Sequence, residues 1–90
     1  MFRLWAREFK NNKMLRDITV CNDKDDTRTH KVFDAMDEIC SAFDLAKPLW
    51  LDNIVEDFRL HATARFYQDS FIEPVEFDFL EIRVIEEDDQ

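Results

Sequence analysis

Phe2-Arg3-Leu4-Trp5-Ala6-Arg7-Glu8-Phe9-Lys10, then Asn11-Asn12-Lys13, then Met14-Leu15-Arg16-Asp17-Ile18-Thr19-Val20-Cys21 is the stretch from which the fold can be read. Two alternating apolar runs flank an Asn-Asn turn signal, the pattern of a β-hairpin over residues 1–21. Loop length sets the register. A two-residue loop would place Arg7 opposite Arg16 and Ala6 opposite Asp17, which is poor on both faces. A three-residue loop places Arg7 opposite Asp17 and Glu8 opposite Arg16, and aligns Phe2, Leu4, Ala6, Ile18 and Val20 on one face. The sequence therefore predicts the three-residue loop.

Beyond the hairpin, Asn22–Asp26 is a polar connector, and Thr27 or Thr29 can cap a helix. Val32, Phe33, Met36, Ile39, Cys40 and Phe43 recur at spacings of three and four, which predicts a helix over 29–44. Lys47-Pro48 closes that region. Ile54, Val55, Phe58 and Ala62 predict a second helix over 52–62, with Asp52 or Asn53 as its N-cap. Residues 62–74 read equally as helix or as extended chain. A last strand is expected over 75–86, with Asp78, Leu80, Ile82 and Val84 on one face and Phe77, Phe79, Glu81, Arg83 and Ile85 on the other. The polar tail 86–90 should fray unless held.

Charge orders the strands. Residues 1–16 carry five basic side chains against one acidic, a net +4, whereas the remainder carries seven against twenty, a net −13. The basic first strand and the acidic last strand are expected to lie side by side. The fold expected is one α+β domain over 1–90, two-layered, in the order ββααβ. Its three-stranded, mostly antiparallel sheet has the order 2-1-3, with both helices on one face.

The 90 residues contain nine Phe, two Trp and no Gly. Large rings let a small core offset chain entropy. Without Gly there is no phosphate-cradling loop, no dinucleotide fingerprint and no GxSxG elbow. Asn and Asp must supply the left-handed turns. Cys21 and Cys40 form no CxxC motif and read as free, mostly buried thiols of a reducing compartment. No signal peptide and no membrane-length apolar run is visible, so a cytoplasmic location without membrane attachment is expected.

Thr27-Arg28-Thr29-His30-Lys31-Val32-Phe33, Pro48-Leu49-Trp50-Leu51, Phe66, Phe71-Ile72-Glu73 and Phe77-Asp78-Phe79-Leu80-Glu81-Ile82 together resemble the landmarks of a group of short bacterial proteins of about this length, a group without an assigned function. The resemblance spans nearly the whole chain. It implies a compact protein of the kind found mainly in Gram-positive anaerobes, and it brings no activity, cofactor or site residue with it.

Candidate chemistry is sparse. Asp23, Asp25, Thr27 and Thr29 alternate as in a calcium loop, but Arg28 stands where that loop needs Gly, and Asp34 where it needs a bidentate Glu. Cys21, His30, Cys40 and His61 include no local chelating pair for zinc. His30 precedes Asp34 by one helical turn, which could orient an imidazole for proton transfer, yet such pairs are ordinary helix-surface features. No metal, cofactor or catalytic residue is therefore assigned, and the chain reads as a non-enzyme.

The net charge of −9 opposes direct nucleic-acid binding. An outward strand face carrying Arg3, Trp5 and Arg7, joined by Phe9, Phe77, Phe79 and Ile85, looks too apolar to lie bare. A chain segment or a second molecule is expected to cover it. The leading expectation is thus a protein–protein interaction or regulatory module with an unidentified protein partner, or a homodimer through sheet faces or edges. Its candidate partner-binding residues are Arg3, Trp5, Arg7, Arg28, His30 and Arg65. One alternative is an acidic nucleic-acid mimic that occupies a basic DNA- or RNA-binding protein. Another is a small enzyme using His30 or His61.

Overall fold

The hairpin joins β1 (Phe2–Lys10) to β2 (Lys13–Asn22) in a computed structural model that describes residues 1–87. Arg7 faces Asp17 and Glu8 faces Arg16, as the charge argument requires. The loop itself differs from expectation. Asn11 and Asn12 are both left-handed, at φ 53° and 64°, and Lys10 pairs directly with Lys13. That is a two-residue turn of the kind whose twist suits a hairpin. The register then shifts between Phe9–Met14 and Glu8–Arg16, leaving Leu15 as a bulge. A short turn plus one bulged residue gives the same body register as a three-residue loop.

The Thr27 hydroxyl accepts from the His30 N–H at 3.2 Å, and α1 runs from Arg28 to Phe43. Thr29 is inside the helix rather than its cap. Val32, Ala35, Met36, Ile39, Cys40 and Phe43 are buried, whereas Phe33, expected in the core stripe, is 50% exposed. Left-handed Asp44 ends the helix. Helix α2 spans Asp52–His61, with Leu51 at the N-cap position and no side-chain cap, so Asp52 sits in the first turn instead. There its carboxylate favours the positive end of the helix dipole. Ile54 and Phe58 are its buried residues.

Ala62 ends α2 in the left-handed region at φ 55°. Its N–H is bonded to the Phe58 carbonyl, and its own carbonyl accepts from Val84 N–H at 2.9 Å. A residue with a Cβ is strained here, at a cost of about 1 kcal/mol relative to Gly. Ala62→Gly should therefore raise stability by about 0.5–1 kcal/mol, seen as a higher urea midpoint at unchanged slope. A lower midpoint would mean that the chain does not hold this conformation.

The turn at Ala62 starts a strand that the sequence left unresolved. Strand β3, Thr63–Phe66, pairs antiparallel with β4, Phe79–Glu86. The sheet therefore has four strands, not three, in the order β2-β1-β4-β3, and the element order is ββααββ. The basic first strand does lie beside the acidic last one. Residues 75–78 precede β4 instead of opening it. Gln68, in a 3₁₀ turn over Gln68–Ser70, accepts from Val75 N–H at 2.9 Å and donates to the Glu73 carbonyl at 3.0 Å. Pro74 sits in that clamped loop, and Asp78 bonds outward to the Asn11 N–H at 2.8 Å.

Both helices contribute to one core with the inward sheet residues, among them Phe2, Leu4, Ala6, Ala64, Phe66, Leu80 and Ile82. The expectation of helices on one face thus holds. The start of the tail is held rather than frayed, with Glu86 paired to Arg3 at 3.2 Å and Glu87 to Arg28. The remainder of the tail, 88–90, lies outside the described residues. No helix among the described residues is long and apolar enough to cross a membrane.

Candidate functional site

The outer sheet face is built from the alternate residues of the same strands. One row crosses all four: Asp17 on β2, Arg7 on β1, Glu81 on β4 and Arg65 on β3. Signs alternate along it. Glu81 is only 4% exposed, although neither helix lies on this face. Its cover consists of side chains. Arg7 and Arg65 both bond to it, Arg65 Nε at 2.9 Å. The Arg7 guanidinium lies 4.0 Å from the Trp5 ring centre and 5.0 Å from that of Phe9, and Arg65 lies 4.9 Å from that of Phe79. Phe9 and Phe79 stack at 5.1 Å. Trp5 Nε1 donates to Asp17 at 2.9 Å.

Burial pushes the Glu81 carboxyl up, but the hydrogen bonds and charges of Arg65 and Arg7 outweigh this and hold it below its usual range. On Arg65, hydrogen bonding to Glu81 first and Tyr67 second pushes the guanidinium pKa up. A face that looked too apolar to lie bare is thus shielded by its own guanidiniums, each worth about 0.5–2 kcal/mol on a ring.

This arrangement separates the residues singled out from sequence. Trp5, Arg7 and Arg65 meet around Glu81. Arg3 sits at the rim on Glu86. Arg28 and His30 lie elsewhere, at the start of α1. The His30 ring bonds Asp26 at 2.8 Å, not Asp34 as its spacing suggested, and that hydrogen bond is the main reason the Asp26 carboxyl is pushed down. Cys40 is buried, which pushes its thiol up, but Cys21 is exposed on the edge strand β2, contrary to expectation. Among the described residues no group of three or more His, Cys, Asp or Glu side chains is placed to hold a metal ion.

The helix side carries a feature that sequence reading missed. Phe33, read as core, instead forms one wall of an apolar groove of about 310 Å³ between α1 and α2, with Val55 on the other wall. Trp50, Phe58, Arg28 and Arg59 also line it. Trp50 is the hub, with ring centres 6.2 Å from Phe33, 5.4 Å from Phe58 and 5.0 Å from Phe66. Arg28 lies 5.1 Å from the Phe58 ring centre and also pairs with Glu87, while Arg59 pairs with Glu56 at 2.6 Å. The available signal was Phe33 and Val55, each at the edge of its helical stripe.

No family model matches the chain, and neither does any curated protein or solved structure.

Proposed function

We propose that the chain is a protein–protein interaction module whose α1–α2 groove receives one apolar anchor side chain of a partner protein. The supporting observation is that half-exposed Phe33 and Val55 (46% exposed) line one apolar groove together with Trp50 and Phe58. Its volume is at the low end of the roughly 300–1,000 Å³ of ligand sites, which suits a single aromatic or branched side chain. Partner hot spots are commonly such anchors. Arg28 and Arg59 at the groove favour acidic residues beside that anchor. Their present ion pairs are exposed, of the kind worth about 0–1 kcal/mol, and exchange readily.

The outer face, with Arg3, Trp5, Arg7 and Arg65, supports an interface less well because most of its charges and rings already engage one another, Arg7 Nε and Arg83 excepted. Acidic mimicry is weakened similarly, since Glu8, Glu81, Glu86 and Glu87 are engaged by this chain's own arginines. Catalysis by His30 gains no support from an exposed ring tied to Asp26. Unpaired Cys21 and Cys40 fit a cytoplasmic setting.

Val55→Arg fills the groove from an exposed position. Capture of partner proteins from the native cell should fall about 30-fold, the equivalent of one hot spot of roughly 2 kcal/mol, while the double variant Trp5→Ser/Arg7→Ser retains it. Loss with the outer-face pair alone, in a variant that circular dichroism shows to be folded at the assay temperature, would move the interface to the sheet. Concentration-dependent sedimentation of the wild type, absent in Val55→Arg, would identify the partner as a second copy.

A further inference from the structure

A second concavity lies at the β3 edge of the sheet, away from the helix groove. Asn53, Asp57 and His61 recur every fourth residue along α2 and form one wall. Thr63, Arg65 and Tyr67, with Arg83 from β4, form the other, around a volume of about 470 Å³. Thr63 and Arg83 face each other in the β3–β4 register, and Arg65 and Glu81 form the next pair along. Arg65 is fixed in place by its Nε bond to Glu81 and by the Phe79 ring beneath it. Asp17 faces Arg7 and Glu81 faces Arg65, so the row itself is neutral, and any surplus charge at its β3 end comes from beside it.

Arg83 supplies that charge. It is exposed and makes no hydrogen bond, ion pair or ring contact among the described residues, in a chain with 21 acidic side chains. Two arginines with hydroxyls and an imidazole on adjoining positions match the acceptor-rich geometry of a phosphate group. A phosphate fills only part of the space. Asn53 and Asp57 on the facing wall suit hydroxyl donors on the rest of the ligand.

We propose that this cleft binds a small phosphorylated sugar or polyol, its phosphate on Arg65 and Arg83 and its hydroxyls on Asn53 and Asp57. The chain's overall negative charge opposes this only weakly at physiological salt. Screening over about 8 Å leaves the nearest charges to decide.

The test is isothermal titration of the full chain with ribose 5-phosphate, inorganic phosphate and unphosphorylated ribose. Ribose 5-phosphate should bind at least tenfold more tightly than either fragment. Arg83→Gln, which breaks no contact within the described fold, should weaken that binding at least tenfold at an unchanged melting temperature. Asp57→Asn should narrow the gap between the ester and inorganic phosphate. Equal affinity of wild type and Arg83→Gln, equal affinity for ester and inorganic phosphate, or no binding of the ester would each overturn the proposal. Val55→Arg should leave the titration unchanged, so this result stands or falls apart from the groove.

Discussion

Glu81→Leu is expected to destabilise the fold by about 3 kcal/mol. Removing one member of a buried ion pair costs about 3–5 kcal/mol because the partner charge is left without compensation. Here two partners are orphaned: Arg7, largely buried between Trp5 and Phe9, and Arg65 over Phe79. Arg65 is 54% exposed and can recover hydration, which keeps the effect near the lower end of that range. The double variant Arg7→Leu/Glu81→Leu should regain part of the loss, since it removes the orphaned charge with its partner.

Acid provides a second handle on the same carboxyl. Burial raises its pKa and the two arginines lower it further, so the folded value lies below the ordinary 4.5. Stability from this group is complete above pH 4.5 and drains away as pH falls through the lower folded value. In Glu81→Gln that acid limb should flatten. A cost below about 1 kcal/mol for Glu81→Leu, read from urea denaturation, would show that the row does not hold the sheet.

The second large effect is expected at Trp50. Trp50→Ala should cost about 3 kcal/mol, within the range for truncating a large aromatic side chain. Three ring contacts, with Phe33, Phe58 and Phe66, are lost together, each worth about 0.5–1.5 kcal/mol beyond area. Partial exposure of Trp50 limits the total. The chain has two tryptophans, so in a Trp5→Phe background the fluorescence of Trp50 reports its burial directly. An emission maximum typical of a fully hydrated indole, or a cost below about 1 kcal/mol for Trp50→Ala, would contradict the packing described.

Charge made the sheet legible in advance. Arg7 with Asp17 and Glu8 with Arg16 chose the hairpin register, and the basic-to-acidic gradient placed the first strand beside the last. The loop length was misread because a turn and a bulge add to the same offset as a longer loop, and cross-strand pairs far from the turn do not distinguish the two. Strand β3 was not legible because Thr63-Ala64-Arg65-Phe66 is too short for alternation to outweigh continuation of α2; only β4 makes it a strand. Val75–Asp78 alternates like a strand, but Gln68 draws it into a loop. Phe33 has the spacing of a core residue and lacks only a partner element to cover it. The cleft at Arg65 and Arg83 needed β3 to be known before its walls could be assembled.

The central pair of the sheet, β1 with β4, brings together residues distant in sequence, Arg7 and Glu81 being 74 positions apart. During synthesis the hairpin and both helices emerge well before their middle neighbour exists. Long-range closure of this kind is slow, because loop entropy is lost before its contacts form. Until β4 arrives, β1 presents an open edge and Arg7 has no Glu81. A ribosome-bound chain stopped before residue 79 should therefore remain protease-sensitive, with assembly waiting on the last strand to be made.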